Sequence, residues 1–190
     1  MELMLLPEPS ARRLLDVARH SIAYGLQHHE AWSPDPLAEP DDLRHPRATF
    51  VTLHLHGRLR GCIGTLEAHQ SLVEDVAANA YAAAFEDPRF PSVAAEEVDA
   101  LQLHISVLTS PVPFPCRDEA DLLARLQPGR DGLILRDGSR RATFLPAVWA
   151  DLPDPKQFLA HLKRKAGLPA DHWSDTIRFW RYEAESIPQA

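Results

Sequence analysis

The stretch that most constrains this fold is residues 48–66, ATFVTLHLHGRLRGCIGTL. Residues 50–55 alternate and are β-rich, His56-Gly57-Arg58 supplies a turn, and residues 59–63 return, which reads as a β-hairpin. Side chains on a strand alternate between faces, so the turn length decides where Cys62 points. A two-residue turn at 56–57 or 57–58 puts Cys62 with Val51, Leu53 and Leu55. A three-residue turn over 56–58 puts it with Thr52 and His54 instead.

The rest of the chain alternates helices with short strands. A helix is expected from Ser10 as N-cap, with Leu14, Leu15, Val17, Ala18, Ile22 and Leu26 near helical spacing. Residues 32–46 are rich in proline and aspartate and read as a loop. Ser71-Leu72-Val73-Glu74 is a capping box opening a helix to about Phe85. Its small residues, Ala77, Ala80, Ala83 and Ala84, let it lie close to a sheet. Residues 101–108 alternate again, with Leu101, Leu103, Ile105 and Val107 on one face and Gln102, His104 and Ser106 on the other. Pro111, Pro113 and Pro115 make a stiff connector, so a lobe boundary is expected near 110–116 within one domain spanning 1–190. Beyond it come a short helix (119–126), strands at 132–135 and 142–145 around Asp137-Gly138, and a helix begun by Asp154-Pro155 and ended at Gly167. A final strand is expected over 176–187. Hairpins interleaved with helices favour an α+β fold, a mixed or antiparallel sheet with flanking helices, over a doubly wound parallel one. The two halves share a coarse helix-hairpin-helix-strand rhythm, which hints at an old duplication.

The chain of 190 residues has a formal net charge of −7, which argues against nonspecific nucleic-acid binding. A local basic patch is still compatible with it, since Arg136, Arg140 and Arg141 lie close in sequence. No apolar run approaches the roughly 20 residues that span a bilayer, and the first residues lack the basic region of a signal peptide. Two cysteines without such a signal point to free thiols in a reducing cytoplasm; a Cys62–Cys116 bridge is the alternative. No glycine-rich phosphate loop, HExxH, GxSxG or CxxC occurs, and no cofactor is implied.

Several residues could carry chemistry. Cys62 lies between Gly61 and Gly64, two residues from Arg60; on a regular strand that shares a face, and a cation there favours the thiolate. The alternative is a small buried hydrophobe whose flanking glycines serve the backbone. Arg60, Gly61, Gly64 and Arg89 are candidates for holding an anionic ligand, because guanidinium presents a fork to carboxylate or phosphate. Asp87 either handles protons or pairs with an arginine to fix the loop after the alanine-rich helix. His104 could serve Cys62 as a general base if its strand lies beside the hairpin; otherwise it is a solvent-facing histidine. His54 and His56 have the spacing that lets two imidazoles meet one metal, with Cys62 as a third ligand; exposed strand histidines are the alternative.

The segment Leu59-Arg60-Gly61-Cys62-Ile63-Gly64-Thr65 resembles the AMMECR family, whose bacterial and archaeal members are called AmmeMemoRadiSam system protein A. Further blocks follow in the family's order: Asp87-Pro88-Arg89-Phe90, Ile105-Ser106-Val107-Leu108, Gly132-Leu133-Ile134-Leu135, Phe144-Leu145-Pro146-Ala147-Val148-Trp149 and Leu162-Lys163-Arg164-Lys165-Ala166-Gly167-Leu168. The resemblance covers residues 14 to 185. It implies an α+β fold with a larger and a smaller lobe and a cleft between them. It also implies Memo-like and radical S-adenosylmethionine proteins as partners, rather than a particular reaction. His54 and His56 are not part of the family pattern. Three expectations follow: an accessory protein that binds a partner or a small anionic ligand, a thiol-dependent enzyme with Cys62 as nucleophile and Arg60, His104 and Asp87 in support, or, third in order, a metal-binding protein using His54, His56 and Cys62.

Overall fold

The computed structural model describes residues 6–189. Helix α1 (Glu8–His28) begins two residues before Ser10. Pro7 and Pro9 suit a helix start, where a missing N–H costs nothing, and Ser10 is buried inside the first turn. The proline-rich segment after α1 holds a 3-10 turn (Pro36–Ala38) and the one-turn helix α2 (Asp41–Arg44) where only loop was expected. Strands β1 (Thr49–Leu55) and β2 (Arg58–Gly64) form the hairpin. Helix α3 (Leu72–Phe85) follows, with the Ser71–Glu74 capping box formed in both directions. Strand β3 (Leu101–Leu108) comes next. After it come β4 (Val112–Pro113), α4 (Glu119–Arg125), β5 (Gly132–Asp137), β6 (Arg140–Phe144), α5 (Pro155–Lys165), β7 (Arg178–Tyr182) and β8 (Ala184–Pro188). The single final strand expected over 176–187 is thus two strands, β7 and β8.

The chain divides into two units, one built from the chain up to Ser110 together with the segment from Glu185, the other from Pro111–Ala184. Among the described residues the strands form two four-stranded sheets, ordered β2-β1-β3-β8 and β4-β7-β5-β6. The fold is α+β, and the paired strands are antiparallel. In the first unit, α1 and α3 cover one sheet face and enclose a core that includes Leu14, Val17, Val51, Leu53, Val76, Leu103 and Ile105. In the second, α4 and α5 cover Leu133, Leu135 and Phe179, and Phe158 stacks on Trp149 at 3.7 Å between ring centroids.

The hairpin turn is His56-Gly57, with φ of 50° and 78°. Two positive φ values match a type I′ turn, whose twist suits an antiparallel pair. A two-residue turn alone would have put Cys62 over Val51 and Leu53. Instead Leu53 pairs with Gly61 and His54 with Leu59, so Arg60 is an extra residue in β2. That bulge shifts the register by one and turns Cys62 to the other face, opposite Thr52.

Candidate functional site

The sheet face away from α1 and α3 carries a row of reactive side chains. Cys62 on β2 lies directly opposite Thr52 on β1, and Thr52 lies directly opposite His104 on β3. Directly opposed side chains share a face, so the three form one line across three strands. Cys62 Sγ is 3.3 Å from Thr52 Oγ1. His104 Nε2 is hydrogen-bonded to Ser186 Oγ on β8. Burial, and then the charge of nearby His54, hold the His104 imidazole below the usual histidine range. Cys62, Thr52 and His104 are all half-buried.

The bulge also decides the fate of Arg60. Strand alternation fails at the extra residue, and the Arg60 side chain is buried and committed elsewhere. Its Nε and Nη2 donate to the Glu97 carboxylate at 2.9 and 3.0 Å. Nη1 and Nη2 also donate to the carbonyls of Pro91 and Ser92. Such a bidentate pair with a full set of acceptors is a staple holding residues 91–97 against the hairpin. The cation beside Cys62 is instead Arg89, whose bond to Asp87 raises its pKa further and whose Nη2 donates to the Cys62 carbonyl.

Asp87 and Arg89 close the edge of the sheet. β2 is an edge strand, and the main-chain groups of Cys62 face outward from it. Asp87 Oδ2 accepts from Cys62 N at 3.0 Å, and Arg89 Nη2 donates to Cys62 O at 3.3 Å. Asp87 also accepts from the Arg89 main-chain N, Nε and Nη2. The Asp-Pro-Arg turn therefore imitates a fifth strand at one residue, satisfying an edge that would otherwise pair with another chain. The Arg89 side chain, aided by main-chain donors, holds the Asp87 carboxyl well below its ordinary value.

A pH dependence follows from that depression. A carboxylate with a lowered folded pKa stabilises the fold above its unfolded pKa of about 4, and the contribution disappears as pH falls through the folded value. Wild-type stability in urea is expected to fall below about pH 4, whereas Asp87→Asn should be less stable at pH 7 by about 2 kcal/mol and flatter in acid. Equal acid slopes for the two proteins would overturn this.

Gly61 and Gly64 are glycines for packing reasons. A Cβ on Gly61 would lie 2.0 Å from the Ala83 carbonyl oxygen of α3, and one on Gly64 would meet the Phe50 ring at 2.2 Å. The small face of α3 thus does bring helix and sheet close at this point. His54 sits on the Cys62 face, diagonally from His104. His56 does not join it. The strand ends at Leu55, and His56 adopts the left-handed turn conformation, so the spacing argument stops one residue short. Among the described residues no group of three or more His, Cys, Asp or Glu side chains is placed to hold a metal ion. Cys62 and Cys116 are both free thiols, which leaves the alternative of a bridge between them unrealised.

The sequence reading assigned no role to Asp75 or Asn79, yet they hold the most completely bonded polar cluster near this site. Asp75 is fully buried and accepts from Thr49 Oγ1, Thr65 Oγ1, Gln70 Nε2 and Asn79 Nδ2. Asn79 also donates to the Thr49 carbonyl. The signal was present: Leu72, Asp75, Val76, Asn79, Ala80 and Ala83 follow helical i, i+3, i+4 spacing, which places two polar residues on the buried stripe.

The fold, the LRGCIG hairpin and its Asp-Pro-Arg clasp define a protein class that the comparisons identify. The AMMECR1 family model matches residues 15–187, and the chain belongs to the AMMECR1 family. It is 38% identical over 183 residues to a protein of Methanothermobacter thermautotrophicus, covering 95% of this chain and 94% of that one. It is 35% identical over 185 residues to a protein of Thermotoga maritima, covering 96% and 98%. The crystal structure of the uncharacterized protein PH0010 from Pyrococcus horikoshii superposes with a TM-score of 0.88 at 33% identity, covering 95% of this chain and 92% of that one. No described helix is long and apolar enough to cross a membrane.

Proposed function

We propose that this protein is an accessory member of its family, cytoplasmic, which binds a Memo-like or radical S-adenosylmethionine partner, or a small anionic ligand of that system, on the outer face of its first sheet. The observation that carries the reading is the commitment of Arg60 and Asp87. Arg60 is paired with Glu97 and two carbonyls, and Asp87 is bonded to Cys62 N and Arg89. Of Arg60, Asp87 and His104, the groups a thiol enzyme would draw on, only His104 shares the face of Cys62, and Thr52 stands between them; His54 is the next residue along that face of β1. What the face offers instead is a line of hydrogen-bonding side chains, with Arg89 exposed at its edge.

The test is binding of purified protein to the Memo-like and radical S-adenosylmethionine proteins of its own system. Cys62→Ser is expected to change affinity by less than about twofold, whereas Thr52→Arg, which plants a large charge mid-face, should weaken it by roughly tenfold or more. The complex should also slow alkylation of Cys62 relative to Cys116. Full binding by Thr52→Arg, or loss of binding in Cys62→Ser, overturns the proposal. A second reading, a thiol-dependent enzyme, draws on the 3.3 Å Cys62–Thr52 contact and the alignment with His104. It requires that Thr52→Val and His104→Ala slow Cys62 alkylation, which the binding reading does not.

A further inference from the structure

The second sheet carries its own aligned row. Arg136 on β5 lies directly opposite Arg141 on β6 and directly opposite Arg178 on β7. All three are exposed and share the face opposite Leu133, Leu135 and Phe179. Like charges directly opposed on adjacent strands repel at Cα separations of about 5 Å. The sheet could relieve this with carboxylates. Yet among the described residues neither Arg136 nor Arg178 has an ion-pair partner, and Arg178 Nη1 donates only to the neutral carbonyls of Asp175 and Ile177. The nearest acid in sequence, Asp137, alternates to the opposite face, where its oxygens take bonds from His172, Ser174 and Thr176. In a chain of net charge −7, three aligned arginines are a concentrated exception.

A flat ring adjoins the row. Trp180 is two residues from Arg178 on β7, hence on the same face, and pairs with Ile134 and Pro113. Beside it lies a pocket of about 240 Å³ walled by Pro113, Pro115, Cys116, Ile177, Arg178 and Trp180. That falls short of the roughly 300–1,000 Å³ of sites that enclose a whole ligand. It suits one aromatic ring whose charged remainder stays outside.

We propose that this face binds a nucleoside polyphosphate, its base stacked at Trp180 in the pocket and its phosphates on the Arg178–Arg136–Arg141 row. Guanidinium forks match phosphate oxygens bidentately, and an indole face accepts any base by stacking. The recognition uses a sheet face and needs no glycine-rich loop. The bound anion also removes the repulsion within the row, so ligand and fold stabilise each other.

The experiment titrates the full chain with ATP, GTP, inorganic triphosphate and adenosine by calorimetry, alongside Arg136→Glu, Arg178→Glu and Trp180→Leu. Both nucleotides are expected to bind, with triphosphate weaker by roughly tenfold and adenosine weaker still. Either glutamate variant should lose roughly tenfold or more of nucleotide affinity while melting no lower than wild type, because it relieves the like-charge row. That pairing separates a binding role from a structural one. Trp180→Leu should weaken nucleotides and leave triphosphate unchanged. Absence of nucleotide binding at millimolar concentration, unaltered affinity in Arg136→Glu, or triphosphate binding as tightly as ATP overturns the proposal.

Discussion

Replacing Gly61 with alanine is expected to destabilise the protein by about 3 kcal/mol, the upper end of what overpacking a rigid contact costs. The reason is the identity of the atom that the new Cβ would strike. It would lie 2.0 Å from the carbonyl oxygen of Ala83 and 3.0 Å from its carbonyl carbon, both main chain. A side chain could rotate away, but the backbone of α3 can retreat only by moving the helix. That helix is held by Val73, Val76, Ala77 and Ala80, all fully buried, so retreat loosens the first core. Gly64→Ala is the control. Its Cβ would crowd the Phe50 ring from Cγ outward, which the half-buried Phe50 side chain relieves by swinging about χ1 while the backbone stays in place, and the expected loss is about 1 kcal/mol. Urea denaturation of both variants decides the matter. A loss below 1 kcal/mol for Gly61→Ala, or equal losses for the two, would contradict the account. Truncating Ala83 to glycine should not rescue Gly61→Ala, since the obstructing atom is not in the Ala83 side chain.

Much of the architecture was legible because it rests on local rules. The sequence pattern located β1, β2, β3, β5 and β6 within about two residues but missed β4 in the proline connector, and the capping box and the Asp154-Pro155 start located α3 and α5. The duplication rhythm is visible in the sheets: each pairs a hairpin with the strand that follows the next helix, β2-β1-β3 in one and β6-β5-β7 in the other. What no local rule could supply is the exchange of final strands. β4 follows β3 in sequence but joins the second sheet, and β8 follows β7 but joins the first. Reading 176–187 as one strand failed for that reason, since only long-range pairing separates β7 from β8. The candidate site shows the same division. Cys62, Asp87, Arg89 and His104 were singled out by residue type and do gather around one hairpin. The faces they present depended on a single extra residue, Arg60, that no turn rule announces.

The similar strand order of the two sheets also shows how one chain carries two unlike surfaces. Each sheet buries its Leu and Val face under helices and leaves some of the alternate positions accessible. In the first sheet these are Thr52, Cys62 and His104. In the second they are Arg136, Arg141 and Arg178. Core demands fix one face of each sheet and leave part of the other available for binding.

Removing the Asp75 carboxylate is expected to cost about 3–5 kcal/mol, comparable to breaking a buried ion pair. No cation is in the cluster. The carboxylate is held by hydroxyl and amide donors alone: Thr49, Thr65 and Asn79 on Oδ2, Thr65 and Gln70 on Oδ1. Its place in the first turn of α3 adds the favourable end of the helix dipole. Asp75→Ala removes an acceptor shared by four side chains; Asn79 keeps its bond to the Thr49 carbonyl, whereas the bonds of Thr65 and Gln70 to the carboxylate are lost outright. Asp75→Asn is the informative partner. Threonine hydroxyls can reverse and accept from the new amide, whereas Asn79 could present its own carbonyl only by flipping, which forfeits its bond to the Thr49 carbonyl. The expected loss is therefore intermediate, about 2 kcal/mol. The cluster joins β1, the segment after β2 and α3 at the base of the LRGCIG hairpin, so Asp75→Ala should also raise amide exchange along residues 49–52. A loss below 1 kcal/mol for Asp75→Ala would mean that solvent replaces the lost acceptor, and the buried-carboxylate account would fail.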